Sequence, residues 1–237
     1  MTSRLITLWD SLQSCPFPDS ALRALVAGLP PDSVLALGPD QLDGSGVTAE
    51  LQLDRLPANA PRHPRRRAQY GMGRHLARTA LETLGVEPGD LGAHPDGGCA
   101  WPPRTVGSIT HTRGVAAAWV GPDSGLRGLG IDAERHKPLS PAAQQHVLTP
   151  AEIDADDLPP ALRFSAKEAI YKCLAPLGVA PLRFQDVSVG VEEGTLRFEP
   201  TPDCQWKAEM PTLAGVCLTT DAHVLTCVWA RTPEPAA

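Results

Sequence analysis

Gly130-Ile131-Asp132-Ala133-Glu134 and Phe164-Ser165-Ala166-Lys167-Glu168-Ala169-Ile170-Tyr171-Lys172 are the two stretches that decide how this chain is read. The first runs out of an apolar, glycine-punctuated segment, Leu126 to Ile131, that predicts a strand; residues two apart on a strand share a face, so Asp132 and Glu134 point the same way. Two carboxylates on one face repel unless something positive sits between them. The second stretch lies in a helical pattern from Leu162 to Leu174, preceded by Pro159-Pro160 and stopped by Pro176 and Gly178. Glu168 and Lys172 are one helical turn apart and share a face. Either stretch alone reads as ordinary surface charge, a solvated strand end or a helix-surface ion pair. In this order they supply three carboxylates, Asp132, Glu134 and Glu168, with lysines beside them. All-oxygen ligation without paired Cys or His suits Mg²⁺ or Mn²⁺, and Mg²⁺ characteristically links protein carboxylates to substrate phosphates. A phosphate-bearing substrate is therefore expected.

Composition agrees with a small enzyme. The 237 residues suffice for one domain or two small ones, and the net charge of −6 argues against general nucleic-acid binding. No apolar run approaches the length of a bilayer span, and Met1-Thr2-Ser3-Arg4-Leu5 lacks a signal-peptide layout, so a cytoplasmic protein is expected. Cys15, Cys99, Cys173, Cys204, Cys217 and Cys227 show no CxxC spacing and read as reduced core thiols; the alternative is a Cys217–Cys227 pairing across a hairpin. No GxxxxGK(S/T) occurs, which disfavours a Walker-type ATPase.

The element pattern is α+β, in two halves of similar order. Ser20 to Leu29 predicts a helix with Ser20 as N-cap, and Ser33 to Leu37 a strand. From Arg65 to Leu84, Met72, Leu76, Ala80 and Leu84 recur every fourth residue, an amphipathic helix closed by Gly85. Val106–Thr110 and Val115–Val120 predict strands joined near Arg113-Gly114. The helix at 162–174 is followed by strands near 186–191 and 195–199, joined by Glu193-Gly194, then Val216–Thr219 and Val224–Trp229. The join is placed at Gly125, giving halves 1–125 and 126–237.

The pair GIDAE … FSAKEAIYK resembles the signature of the 4′-phosphopantetheinyl transferases, (I/V)G(I/V)D-x-E … (F/W)(S/T/C)xKE-xxx-K. Trp101-Pro102 with Gly107-Ser108-Ile109-Thr110-His111-Thr112 is similar to the WP…GSxTH segment of the surfactin/enterobactin-type, single-chain subgroup. Arg66-Arg67 through Arg74-His75-Leu76-Ala77-Arg78 is similar to its RR…RxxAR helix. The resemblance covers about residues 62 to 177 and implies two pseudo-symmetric α+β halves with the active site between them. It implies transfer of the phosphopantetheine arm of coenzyme A to a serine of an apo acyl, peptidyl or aryl carrier protein, with release of 3′,5′-ADP and Mg²⁺ (or Mn²⁺) on the pyrophosphate. Siderophore, polyketide and nonribosomal peptide synthesis are the settings it brings, and both halves in one chain lead us to expect a monomer.

On that resemblance Arg66 and Arg74, within about 80° on one helix face, go to the nucleotide end of coenzyme A, and His111 goes to its 3′-phosphate, with Thr110 beside it as the weaker candidate. The basic helix could equally dock an acidic carrier. The metal falls to Asp132, Glu134 and Glu168. Lys167 is expected on an α- or β-phosphate oxygen and Lys172 on the phosphate charge, with Glu168 or Lys172 handling the serine proton. A Mg²⁺-dependent pyrophosphatase or phosphodiesterase would use the same trio with water as nucleophile; a non-catalytic coenzyme A or carrier-binding module would lack turnover. One departure stands out: relatives of the enterobactin type usually carry a lysine five residues before Trp-Pro, where this chain has Asp96.

Overall fold

The computed structural model describes residues 2–9, 15–40, 60–61, 63–94, 98–179, 182–208 and 210–231. Asp96 lies outside them. The chain divides into two compact units, Met1–Asp123 and Ser124–Ala237, each a helix on a sheet.

In the first unit the order is β1 (Arg4–Thr7), α1 (Asp19–Ala27), β2 (Val34–Gly38), α2 (Pro64–Leu84), β3 (Thr105–Thr112) and β4 (Val115–Pro122). The sheet runs β1-β2-β4-β3, with β1 parallel to β2 and the remaining pairs antiparallel. The four-residue period of Met72, Leu76 and Ala80 puts them on one stripe of α2, fully buried against Val34, Ala36, Ala116, Ala118 and Val120. Gly85 ends the helix at φ 78°, a left-handed conformation that costs glycine nothing. α1 starts earlier than its sequence signal: Pro18 is the N-cap, and Ser20 lies inside the first turn. The four residues of β1 are too few to show a period and were not expected.

The second unit runs β5 (Leu126–Arg135), α3 (Pro141–Val147), α4 (Pro150–Ala155), α5 (Pro160–Leu174), β6 (Val187–Glu192), β7 (Thr195–Pro200), β8 (Leu213–Thr219) and β9 (His223–Arg231). Its sheet is antiparallel throughout, in the order β5-β9-β8-β7-β6. Ala166, Ala169, Ile170, Cys173 and Leu174 of α5 form a core with Val187, Val189, Leu196, Val228 and Ala230. β5 does not stop at Ile131 but continues to Arg135, so Asp132 and Glu134 sit within a paired strand rather than at a solvated end. α3 and α4 are absent from the periodicity reading because helices of seven and six residues are too short to display one.

The β8–β9 register removes the disulfide alternative. Cys227 lies opposite Val216 and Cys217 opposite Thr226, so the two cysteines leave the sheet on opposite faces. All six thiols are free, and burial pushes those of Cys217 and Cys173 up to about 11 and about 12. Such thiols are core filling, not nucleophiles.

Candidate active site

Gly128, Gly130, Asp132 and Glu134 alternate along β5 and share its helix-facing side. A Cβ on Gly130 would collide with the carbonyl oxygen of Ala169, and one on Gly128 with that of Cys173. The backbone of α5 therefore rests directly on the backbone of β5, closer than any side-chain-mediated contact would allow. That closeness brings the charges of α5 to those just beyond the glycines. Lys172 Nζ donates to Asp132 Oδ1 at 2.6 Å and to the Ile131 carbonyl at 3.2 Å. Beneath this pair, the buried hydroxyls of Ser165 and Thr226 meet at 2.9 Å, and Thr226 Oγ1 donates to the Asp132 carbonyl at 3.4 Å.

The carboxylates form one electrostatic cluster. Burial pushes Glu134 up to about 7, helped by the charges of Asp132 and Glu168 and opposed by Lys172. Glu168 is raised for the same reasons, burial first and then Asp132, again with Lys172 opposing. Among the described residues no group of three or more His, Cys, Asp or Glu side chains is arranged to hold a metal ion. The donor set nevertheless fits one in its chemistry: three carboxylates without thiolate or imidazole suit a hard divalent cation, and the mutual repulsion that adds to burial in raising Glu134 and Glu168 is what such a cation relieves.

Lys167, expected on a phosphate oxygen, is held by a neighbouring group of charges. It is 4 % exposed, and its Nζ donates to Glu152 Oε2 at 2.6 Å and to the Val147 carbonyl at 2.8 Å. One residue along a helix turns the side chain by about 100°, yet Lys167 and Glu168 both border one cleft of about 200 Å³, lined besides by Ile170, Tyr171, Leu182, Arg183, Phe184 and Val187.

In the first unit the structure separates residues that the sequence grouped. Arg66 is exposed in the first turns of α2. Arg74 is buried: Nε donates to the Leu91 carbonyl at 2.7 Å, Nη2 to the Tyr70 hydroxyl at 3.1 Å, and the guanidinium lies 4.4 Å over the Tyr70 ring. It pins the segment after α2, so a free two-arginine fork with Arg66 is not present. Thr110 and His111 leave β3 on opposite faces; Thr110 is 4 % exposed and His111 exposed. Asp40 brings His111 and Arg66 to the same end of this unit. Its Oδ1 accepts from the Gly114 amide in the β3–β4 turn at 2.8 Å, and its Oδ2 from Gln69 Nε2 on α2 at 3.0 Å.

Asp40 and Glu152 were missed by the sequence reading. Asp40 has partners 29 and 74 residues away, and no local signal announces it. Glu152 had one: Thr149-Pro150-Ala151-Glu152 is a capping box with proline at the first helical position, and both of its reciprocal hydrogen bonds are formed.

Comparison with known proteins covers both units. Residues 56–121 match the 4′-phosphopantetheinyl transferase N-terminal domain and residues 128–228 the 4′-phosphopantetheinyl transferase superfamily. The 4′-phosphopantetheinyl transferase PptT of Mycobacterium tuberculosis is 36% identical over 177 residues, 70% of this chain and 78% of that protein. Npt of Nocardia iowensis is 36% identical over 139 residues, 55% of this chain and 63% of its own length; Svp of Streptomyces mobaraensis is 35% identical over 138, 54% and 56%. Among solved structures, the holo-[acyl-carrier-protein] synthase of Neisseria meningitidis overlays 45% of this chain and 99% of its own at TM-score 0.37 and 23% identity, too slight a likeness to bear on the argument. With both units matched, and the two motifs held against each other by Lys172 and Asp132, the chain belongs to the 4′-phosphopantetheinyl transferases, enzymes that move the phosphopantetheine arm of coenzyme A onto carrier proteins.

Proposed function

We propose that the second unit carries the chemistry of the transfer and that the first takes the nucleotide end of coenzyme A. The observation that supports this reading best is the 2.6 Å contact of Lys172 with Asp132, which joins the strand motif to the helix motif at one point. Asp132, Glu134 and Glu168 would hold Mg²⁺, or Mn²⁺ in its place. When bound, the cation supplies charge neutralisation on the pyrophosphate and on the departing 3′,5′-ADP.

Glu168 is the better candidate to accept the proton of the carrier serine as its oxygen attacks the β-phosphorus. Its carboxylate borders the cleft, within reach of a hydroxyl brought there by a carrier. Lys172 already directs its donors at Asp132 and Ile131, so it serves as a fixed positive charge beside the transferring phosphate. The apolar cleft next to Glu168 has the chemistry to take part of the pantetheine arm. Arg66 and His111, exposed at one end of the first unit, are assigned to the nucleotide phosphates, His111 to the 3′-phosphate; Arg74 supports them through the segment it pins. No helix of the described residues is long and apolar enough to cross a membrane. The reading is completed by a monomer in the cytoplasm, with acyl, peptidyl or aryl carriers of siderophore, polyketide or nonribosomal peptide synthesis as its partners.

Incubation with coenzyme A, Mg²⁺ and a panel of apo-carrier proteins, read by intact mass, tests the whole reading. One phosphopantetheine added per carrier serine, lost after metal removal with excess chelator, is the expected result. Release of 3′,5′-ADP without a modified carrier would make the protein a hydrolase, and full transfer in excess chelator would remove the metal.

A further inference from the structure

Glu152 is 3 % exposed, yet its carboxylate meets four residues on three segments. Oε2 accepts from the Thr149 amide at 2.8 Å and from Lys167 Nζ at 2.6 Å; Oε1 accepts from the Val189 amide at 2.7 Å, with Arg163 Nε at 3.7 Å. Arg163 Nη1 returns to the Glu152 carbonyl at 2.9 Å, and Lys167 Nζ also holds the Val147 carbonyl at the end of α3. One buried carboxylate thus ties the α3–α4 junction and β6 to two positions of α5 that lie one turn apart, Arg163 and Lys167.

A buried ion pair is weak evidence for stability, because desolvating two charges offsets much of their attraction. Its better-attested use is to fix register, and here the register in question is the rotation of α5 about its own axis. Contact with Gly128 and Gly130 sets how near α5 lies to β5, but a backbone-to-backbone seat does not by itself choose which residues face Asp132. Holding Arg163 and Lys167 on one side of the helix makes that choice, since Glu168 follows Lys167 by one residue and Lys172 by five.

We propose that Glu152 and Lys167 are a positioning pair, which sets the rotation of α5 and thereby the approach of Glu168 to the reacting phosphate. The inference rests on the assignment of Glu168 made above. Lys167 acts through the helix, its Nζ being taken by Glu152 and the Val147 carbonyl.

The test is the steady-state kinetics of Glu152→Gln, Lys167→Met and the double variant, with kcat expressed per coenzyme A binding site counted by calorimetry and with folding followed by thermal unfolding. Glu152→Gln keeps the shape and acceptor oxygen of the side chain, so it is the variant expected to fold. A positioning pair predicts a tenfold or greater fall in kcat for each single variant, a coenzyme A KM within twofold of the parent, and a double variant no worse than the poorer single one. An unchanged kcat in folded Glu152→Gln, a rise in KM alone for Lys167→Met, or losses that multiply in the double variant would overturn the proposal. So would failure of Glu152→Gln to fold, which would make the pair a stability element. Glu168→Gln is measured alongside: if it retains full turnover, the assignment of Glu168 falls and positioning has no object, whereas its loss together with an unaffected Glu152→Gln rejects the pair alone.

Discussion

Both units lay a helix across a sheet, but they make the close contact in different ways. In the first, the glycines at the interface face side-chain methyls: Gly38 of β2 that of Met72 on α2, and Gly73 of α2 one of Ile109 on β3. In the second, the glycines are on the strand, and Gly128 and Gly130 of β5 receive the backbone of α5. A methyl at the end of a side chain can give way by a rotation; a helix backbone cannot. The first arrangement therefore packs a core, while the second holds Lys172 against Asp132 and couples Glu134 to Glu168. The exposed Arg66 and His111 of the first unit share no such seat.

The largest effect expected from this contrast is chemical. Glu168→Gln should lower kcat by about 10²–10⁴, the usual contribution of a positioned acid or base, with the far-ultraviolet spectrum unchanged. A kcat within threefold or so of the parent would remove Glu168 from the reaction.

Next comes the seat itself. Gly130→Ala should cost about 3 kcal/mol in denaturant unfolding, because the added methyl meets rigid backbone. Gly73→Ala should stay within about 1 kcal/mol of the parent, since the overpacking against Ile109 is offset by the helix propensity that alanine gains over glycine. Equal losses at the two sites would erase the distinction drawn between the units.

The charge cluster makes a pH prediction for the metal-free protein. Glu134 titrates near 4.5 when unfolded and at about 7 when folded, so between those values the folded state holds the extra proton. Stability from this group is fully present below pH 4.5 and is lost as pH rises toward 7; Glu168, also raised, adds in the same sense. Thermal unfolding in chelator should thus decline across that window, and Mg²⁺ should restore stability most at its upper end. A metal-free protein that gains stability from pH 5 to 7 while Glu134→Gln does not would contradict the coupling.

The smallest effect belongs to the exposed end of the first unit. Arg66→Ala should raise the coenzyme A KM by about three- to fivefold with kcat retained, the scale of a solvent-exposed ion pair. Weaker carrier binding with unaltered coenzyme A kinetics would give Arg66 to the protein partner.

Much of the fold could be read because its long elements carry strong periods: the four-residue repeat of α2 and the alternation along β5 survive in the structure with small shifts at their ends. The short α3 and α4 offered only caps, at Ser140 and Thr149. The cluster at Asp132, Glu134, Glu168 and Lys172 was legible since each pair is set by local geometry, strand parity in one and helix spacing in the other. The partner of Lys167 was hidden because a motif gives the spacing of its residues and not what waits on each side; Glu152 lies 15 positions before it. The partner of Arg74 was hidden in the same way, since the Leu91 carbonyl lies beyond the end of α2 at Gly85.

The place of β5 in its sheet also bears on how the protein is made. Among the described residues it is the edge strand of its sheet, beside β9, and Thr226 reaches back across 94 residues to the Asp132 carbonyl. While the chain is emerging from a ribosome, the strand that bears Asp132 and Glu134 has no sheet to join until residues His223–Arg231 have been synthesised. Pairings of such long sequence separation are slow to form, and an unpaired edge is open to pairing with other chains. Charged side chains on an unpaired edge oppose such pairing, and Asp132 and Glu134 place two of them on β5.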